Sequence, residues 1–391
     1  MKKEINVVGA AFIKDGKLFA AKRSYGSEYV IHKYEFVGGK IKEGETPEEA
    51  LARECREELN VSVKVIRPVG STVYEYPDVI VNLQIFECRT QDEFTPCEHE
   101  QTRWLKPEEF NEEEWCPADR QILLNIKKRL SSSYTLVTGA TGVLGGEFCR
   151  QCALKGENLY ITGRKTDNLR VLQSTMRDIN ADISVIFCPC DLADEQSRAQ
   201  LYEDASNYKF SRLINCAGAD IQKAFALYNQ DKIIFQVRGL YEGAVCLSEF
   251  VLKHRAEKLS IINISSVSGI YPMPYFAIYS SLKGALTSFS VSLAAEMKGK
   301  GVSVTAILPG AIYTRADVKE YIKGQGLWGR LAAKNPDFVV KKSLKAADKG
   351  KVKYVVGFAN KLMNIFTRLV PSRLRTKFIA SKWSKTSKDA F

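Results

Sequence analysis

Glu54, Glu57 and Glu58 stand at i, i+3 and i+4, so a helix through them would carry all three carboxylates on one side. Carboxylates stacked in this way repel one another, and a cation is the expected neutraliser. Hard oxygen ligands suit Mg²⁺ or Mn²⁺, ions that usually accompany phosphorylated substrates. A second chemistry lies far along the chain. In Tyr279-Ser-Ser-Leu-Lys283 a lysine follows a phenol by one helical turn, and Ser266 precedes the phenol by 13 residues. A neighbouring ammonium lowers the pKa of a phenol, ordinarily near 10, toward the range where it can exchange a proton.

The elements that must position these residues fall into two groups. Val7–Ile13 and Lys17–Ala21 predict a hairpin around Asp15-Gly16. Thr46–Leu59 predicts a helix, with Thr46 as cap, Pro47 in the first turn and Glu48-Glu49 favouring the N-terminal dipole. Val61–Val69, Ser71–Tyr76 and Val79–Cys88 predict strands, and Asp119–Leu130 a closing helix. Ser131-Ser132-Ser133 is a polar linker. From Tyr134 the pattern changes: Thr135–Thr138, Asn158–Thr162, Ser184–Cys188, Leu213–Cys216, Leu259–Ile264 and Val302–Ile307 are short apolar runs separated by helical stretches. Such alternation indicates an α/β fold whose parallel sheet is covered on both faces. The expected divisions are residues 1–130, a linker at 131–133, a unit at 134–335, and an extension at 336–391.

The 391 residues carry a net charge of +12, all of it in the tail: from Lys341 onward there are 14 Lys+Arg against 2 Asp+Glu. Ten cysteines and no secretory leader argue for a reducing cytoplasm. Cys149/Cys152 and Cys188/Cys190 could bind metal or act in redox chemistry, but both pairs fall within predicted regular elements, where Cys is ordinarily a small buried apolar residue. The apolar run Ile5–Ile13 is too short for a membrane span.

Gly39-Lys-Ile-Lys-Glu-Gly-Glu45, followed by Arg53 to Glu58 and Val61, resembles the Nudix box, whose family hydrolyses nucleoside diphosphates linked to another moiety. The resemblance covers residues 1–130 and implies an α/β/α sandwich with a mixed sheet. It assigns a metal to Glu54, Glu57, Glu58 and the Gly39 carbonyl, with Glu57 or Glu58 doubling as base. Arg53 would orient the acids. Tyr34-Glu35-Phe36-Val37-Gly38-Gly39-Lys40 is similar to the MutT-type nucleoside triphosphate pyrophosphohydrolases. By that likeness Glu98 or Glu100, ahead of Trp104, supports the metal, Glu98 being preferred. Arg23, Phe36, Lys40 and Asp119 would bind substrate, Arg23 at a phosphate and Asp119 of Pro117-Ala118-Asp119 at the base. An Asp accepting from an exocyclic amino group favours a cytosine or modified purine nucleotide; Asp119 could equally cap the last helix. Val37 replaces the usual Pro, and Asn60 replaces a Gly at the helix end.

Thr138-Gly139-Ala-Thr141-Gly142-Val-Leu144-Gly145 opens a helix after a strand, and Asp191-Leu192, Asn215-Cys216-Ala217-Gly218, Asn263-Ile264-Ser265-Ser266, Tyr279–Lys283 and Pro309-Gly310 follow in order. Together these resemble the short-chain dehydrogenase/reductases over residues 134 to about 315, which implies a doubly wound Rossmann fold. The resemblance makes Tyr279 the proton donor to the alkoxide left by hydride addition, with Lys283 holding the nicotinamide ribose and Ser266 the carbonyl oxygen. It makes Gly139, Thr141, Gly142, Leu144, Gly145, Arg164, Asp191, Leu192, Asn215, Ala217, Gly218, Pro309 and Gly310 cofactor-binding. Arg164-Lys165 after the second strand favours NADP(H) over NAD. Val237-Arg238-Gly239 stands where many members carry a catalytic Asn.

Phe358–Trp383 alternates apolar and basic residues around Pro371 and predicts two basic amphipathic helices. These would either lie on an anionic membrane surface or pack over the substrate pocket or a dimer partner. No nucleic-acid-binding module is recognisable. The expectation is a bifunctional enzyme, a Mg²⁺-dependent nucleotide pyrophosphohydrolase joined to an NADP-dependent carbonyl reductase. The alternative is a reductase whose first unit senses a nucleotide.

Overall fold

The computed structural model describes residues 2–218, 224–313 and 332–383. The side chain of Trp383, expected on the apolar face of the tail, lies outside the described residues. The chain divides into two compact units, Met1–Ser132 with Ser206–Tyr208, and Ser133–Ala205 with Lys209–Phe391.

In the first unit β1 (Lys3–Lys14) turns through Asp15 and Gly16, both at positive φ, into β2 (Lys17–Arg23). Two residues able to adopt that conformation are what a tight hairpin needs. The mixed sheet runs β3 (Tyr34–Glu35), β2, β1, β5 (Val79–Arg89), β4 (Lys64–Glu75), with β6 (His99–Leu105) also on β2. Strands β1 and β5 are parallel and the other pairs antiparallel.

Helix α1 (Pro47–Leu59) begins with a complete capping box. Thr46 Oγ1 accepts from the Glu49 amide at 3.2 Å, and the Glu49 carboxylate accepts from the Thr46 amide at 2.9 Å. It ends on Asn60 at φ 56°, so Asn serves the left-handed cap that Gly would have filled. Leu51, Cys55 and Leu59 then pack against Val8, Phe12 and Phe19 of the sheet.

The two strands expected at Val61–Val69 and Ser71–Tyr76 are one strand, β4, with register shifts at Val65/Arg67 and Pro68/Gly70. Pro68 lacks an N–H, and a bulge lets the ladder continue past it. The linker expected at 131–133 shrinks to Ser132: α2 (Arg120–Ser131) runs to Ser131 and β7 (Ser133–Thr138) starts at Ser133.

The second unit is a seven-stranded parallel sheet in the order β9 (Val185–Pro189), β8 (Asn158–Gly163), β7, β10 (Lys209–Asn215), β11 (Arg255–Ile264), β12 (Val302–Leu308), β13 (Lys353–Val355). Its covering helices are α3 (Val143–Leu154), α4 (Thr166–Ile179), α5 (Glu195–Ala205), α6 (Gln230–Val237), α7 (Gly243–Lys253), α8 (Ala277–Glu296) and α9 (Pro336–Asp348). Strand order reverses between β7 and β10, the crevice where open α/β sheets receive ligands. Cys149 and Cys152 of α3 are buried with Phe148 and Ile161, and burial pushes both thiols upward, as for apolar packing residues.

The boundary expected at 335/336 falls elsewhere. Val339, Val340 and Leu344 of α9 lie in the same core as the central strands, and β13 extends the sheet, so the extension reduces to α10 (Phe358–Leu369) and α11 (Ser372–Trp383). The lysines of α9 occupy its other face and obscured this in the charge pattern. Among the described residues no helix is long and apolar enough to cross a membrane.

Glu87, 2% exposed, is held in the first unit by Arg67, whose Nε and Nη2 each donate at 3.2 Å, and by Arg129. Burial alone would raise this carboxyl; Arg129 and Arg67 outweigh it and hold the group below the usual carboxylate range. Glu87→Gln therefore leaves two guanidiniums partly unpaired, and denaturant titration of the first unit's transition should show a loss of about 3–5 kcal/mol. The folded carboxyl titrates below its unfolded value near 4.3. The wild type thus draws stability from it above that pH and loses it on further acidification, a slope the variant should lack.

Candidate functional site

In the first unit α1 places Arg53 at the centre of an acidic ring. Its Nε and Nη2 donate to the two oxygens of Glu45 at 2.7 and 2.9 Å, and Nη1 donates to Glu54 at 2.7 Å and Glu57 at 3.2 Å. Nη2 also donates to the Lys40 carbonyl at 3.1 Å, which ties the Gly39-Lys40 loop to the helix; the Lys40 side chain is exposed. Arg53 holds Glu45 down at about 2. Arg53 pairs with Glu54 and Glu57, but a single guanidinium shared with Glu45 as well leaves net negative charge, so the expected cation still has charge to meet.

Glu58 is the exception. Its Oε2 is buried without a hydrogen-bond partner, and burial, with Glu35, Glu54 and Glu98 nearby, pushes the carboxyl up to about 8. A methyl group at Gly39 would stand 2.5 Å from Glu54 Oε1, so only glycine leaves that carboxylate its place. The Gly39 carbonyl accepts from the Val8 amide at 2.9 Å. A buried oxygen without a hydrogen-bond partner, near a backbone that only glycine lets so close to Glu54, fits an oxygen-liganded divalent ion. Even so, among the described residues no three His, Cys, Asp or Glu side chains converge to hold an ion as they stand.

Glu98 and Glu100 go different ways. Glu98 accepts from the Tyr25 hydroxyl at 2.8 Å and its charge is felt at Glu58, whereas Glu100 pairs with His32 at 2.7 Å and Lys22 at 3.3 Å. Between them His99, missed in the sequence, places Nε2 3.5 Å from Glu58 and 3.6 Å from Glu35. No alternation marked it in advance, because Glu98 precedes β6 and His99 is the first residue of that strand. Arg23 is paired with Glu35 and lies over the Tyr25 ring.

The Phe36 ring is buried, 5.2 Å from the Trp115 ring, so it is a core residue rather than a surface offered to substrate. Asp119 does not cap its helix; its Oδ1 accepts from the Phe36 amide at 3.5 Å. Burial and Glu35 raise its carboxyl well above normal, so it would hold a proton and donate as well as accept.

In the second unit the motif blocks meet at the carboxyl ends of β7, β10 and β11. Gly139 takes φ 61°, and a methyl there would stand 2.8 Å from the Ala217 α-carbon. A methyl on Gly145 would stand 2.2 Å from the Gly139 carbonyl, so α3 approaches the turn only through glycine. Gly142 caps α3, Thr141 is exposed and Leu144 half-buried beside it, and the first-turn amides of α3 lack intrahelical acceptors. Thr138 Oγ1 accepts from the Cys216 and Ala217 amides at 3.0 and 3.1 Å and aligns the two loops.

Asn215 is a buried strut, not a group facing a ligand: Nδ2 donates to Asn263 Oδ1 at 2.8 Å, the Ala244 carbonyl at 3.2 Å and Ser248 Oγ at 3.3 Å. Asp191 Oδ1 accepts from the Ala193 amide at 3.0 Å, and Leu192 is buried beneath Gly243. Arg164 is exposed and makes no ion pair among the described residues.

Lys283 is 5% exposed. Its Nζ donates to the Ile264 carbonyl at 2.7 Å and lies 5.7 Å from the centroid of the half-buried Tyr279 ring. A methyl at Gly218 would stand 3.9 Å from that Nζ. Ser266 Oγ accepts from the Ser268 amide at 3.1 Å, and the adjacent Val267 amide donates to the Pro309 carbonyl at 3.0 Å, bringing the Pro309-Gly310 loop alongside. The structure thus brings Tyr279, Lys283 and Gly218 together and sets the Ser266 turn beside Pro309.

Arg238 opens a π-helical turn (Arg238–Glu242) and is exposed. Gln236 was missed in the sequence: 1% exposed, it has no partner for either amide atom, and nothing in its local pattern distinguishes it from a core residue of α6.

Comparison with known proteins agrees with the fold of both units. Residues 3–126 match the family model described as a NUDIX domain, and residues 133–323 the one described as short chain dehydrogenase. The chain joins a Nudix hydrolase domain to a short-chain dehydrogenase/reductase domain.

The second domain is similar to the 11-beta-hydroxysteroid dehydrogenase-like 2 of Arabidopsis thaliana, 27% identical over 191 residues, 48% of this chain and 61% of that protein. It is also similar to the 3-ketodihydrosphingosine reductase of Bacteroides thetaiotaomicron, 29% identical over 182 residues, 46% of this chain and 64% of that one. The chain thus spans less than two thirds of either relative. A solved 7beta-hydroxysteroid dehydrogenase superposes with a TM-score of 0.58 at 18% identity, over 65% of this chain and 98% of its own, a likeness of fold.

Glu58 yields a stability test. In chelator-treated protein the folded state keeps a proton that the unfolded chain releases near pH 4.3. Stability from this group is therefore present below that pH and is lost as pH rises through about 8. Glu58→Gln should remove the slope and exceed the wild type in unfolding free energy at pH 8 by denaturant titration; an unchanged slope would place the orphaned charge elsewhere.

Proposed function

We propose that the chain is a bifunctional enzyme: an NADP-dependent reductase of a carbonyl compound, or oxidant of the corresponding alcohol, linked to a Mg²⁺- or Mn²⁺-dependent nucleoside triphosphate pyrophosphohydrolase. The observation that carries the reductase half is the buried Lys283 ammonium, held on the Ile264 carbonyl beside the Tyr279 ring. A cation there favours the phenolate, so Tyr279 can pass its proton to an alkoxide at neutral pH and recover it in the reverse direction. Ser266 donates its hydroxyl proton to the substrate oxygen. A bound nicotinamide cofactor supplies the hydride. Gly139, Thr141, Gly142, Leu144 and Gly145 would receive its pyrophosphate on the first turn of α3, with Asp191, Leu192, Ala217, Gly218, Pro309 and Gly310 lining the crevice. Exposed Arg164 suits a ribose 2′-phosphate. The names of the two relatives, an 11-beta-hydroxysteroid dehydrogenase-like protein and a 3-ketodihydrosphingosine reductase, support a lipid-like carbonyl substrate.

For the hydrolase half, Glu54, Glu57 and Glu58, with the Gly39 carbonyl and Glu98, would hold the ion, which supplies charge shielding at the phosphate oxygens. Glu57, half exposed, takes the proton of the attacking water, and Arg53 keeps the acids in register. Arg23 and Lys40 would contact phosphate, and Asp119 the base. Ten free cysteines support a reducing, cytoplasmic setting. One observation favours a second reading, a nucleotide sensor: Arg53 already occupies two of the three helix acids.

Purified protein with Mg²⁺ should release pyrophosphate from a nucleoside triphosphate, and Glu57→Gln should abolish this while leaving carbonyl-dependent NADPH oxidation intact. Tyr279→Phe should do the converse. No hydrolysis across a broad nucleotide panel would select the sensor.

NADPH should bind at least about tenfold tighter than NADH, about 1.4 kcal/mol, and Arg164→Asp should narrow the gap. Equal affinities by fluorescence titration would remove Arg164 from the cofactor site.

A further inference from the structure

Helix α10 is turned inside out. Its inward face carries Asn360, buried, with Met363, Asn364 and Thr367 half-buried. On the outward face Phe358 is 79% exposed and Leu369 77%, with Ile365 and Phe366 both at 59%. These four stand at i, i+7, i+8 and i+11, one stripe of a helix. The inward face docks through polar contacts. Asn360 Nδ2 donates to the Val356 and Ala332 carbonyls at 2.8 and 3.0 Å, and Arg375 of α11 donates to the Thr367 carbonyl at 2.8 Å while lying over the Tyr271 ring. Past Pro371, α11 adds Leu374 at 62% and Phe378 at 65% exposure. Amides inward and aromatic rings in water is the reverse of the arrangement that a helix adopts when its own chain is its only partner.

The charge selects the occupant. No Asp or Glu occurs from Lys349 to Lys388, and α10 and α11 expose Lys361, Arg373 and Lys377. A second copy docked by two-fold symmetry would set this basic stripe against itself with no acid to pair. We infer that α10 and α11 form a docking surface for an anionic lipid bilayer, the apolar stripe entering the headgroup boundary and the basic residues meeting lipid phosphates and carboxylates. Each helix is roughly 18 Å long, short of the ~30 Å hydrocarbon core, so the pair lies on the surface and does not span. This inference stands independently of the proposed activities.

The full chain should co-sediment with phosphatidylcholine vesicles containing phosphatidylserine, bind pure phosphatidylcholine vesicles far less, and dissociate in high salt. Phe366→Glu with Leu369→Glu should lower partitioning by about tenfold or more. Arg373→Ala with Lys377→Ala should lower it roughly 25-fold, about fivefold for each residue. All four substitutions lie at exposed positions, and unchanged thermal unfolding would confirm that the variants are folded. Equal binding to neutral and anionic vesicles would overturn the inference. So would binding to neither, or a lipid-free dimer that the Phe366/Leu369 variant dissociates.

Discussion

An ammonium group with 5% exposure survives in a protein interior only if something polar is aimed at it, and in the second domain that partner is the Ile264 carbonyl at the end of β11. The arrangement requires α8 to lie hard against the turn after β11. Gly269 permits this, since a methyl there would stand 2.6 Å from the Lys283 carbonyl carbon. Ser265 Oγ adds a second clamp, bonded to the Lys283 carbonyl at 2.7 Å and to Thr287 Oγ1 at 2.6 Å. Tyr279 is positioned by this clamp, being one turn earlier on the same helix. Asn215 and Asn263 extend the same logic inward. They stitch β10 to β11, and Asn263 reaches Ser290 of α8 at 2.9 Å, so the chemistry rests on a buried polar lattice as much as on apolar packing.

The first domain solves an electrostatic problem with its own residues. Three acids on one helical face would repel, and Arg53 relieves two of them with a single guanidinium that also reaches Glu45 and the Lys40 carbonyl. The third acid, Glu58, is left buried among Glu35, Glu54 and Glu98 with His99 alongside. Pushed up to about 8, the Glu58 carboxyl keeps a proton at neutral pH, and an added cation that replaced this proton would relieve the crowding of acids there.

Most of the architecture was legible along the chain because it rests on local rules. Thr46-Pro47 and Asn60 bound α1 through capping chemistry, Asp15-Gly16 marks the hairpin, and the spacing of short apolar runs marks the parallel sheet. What was not legible depended on partners distant in sequence. The division of β4 was misplaced because a bulge past Pro68 is decided by β5. Helix α9 read as part of a basic tail because its lysines dominate the composition, while Val339, Val340 and Leu344 find the core only in three dimensions. Phe36 and Asn215 carry motif positions, yet Trp115 and Asn263 turn them inward.

The order of the residues alone determined the two domain classes, the acid-bearing helix, the Tyr279–Lys283 pair and the concentration of positive charge at the end, since each depends on spacing within one element or one strand–turn–helix unit. Only the tertiary structure decided which groups meet: Arg53 with Glu45 and the Lys40 carbonyl, His99 with Glu58, Lys283 with Ile264, and the polar face of α10 with the body of its domain. Hydrogen bonds and desolvation act over a few ångströms of space, and distance along the chain carries no information about that separation until the backbone has closed.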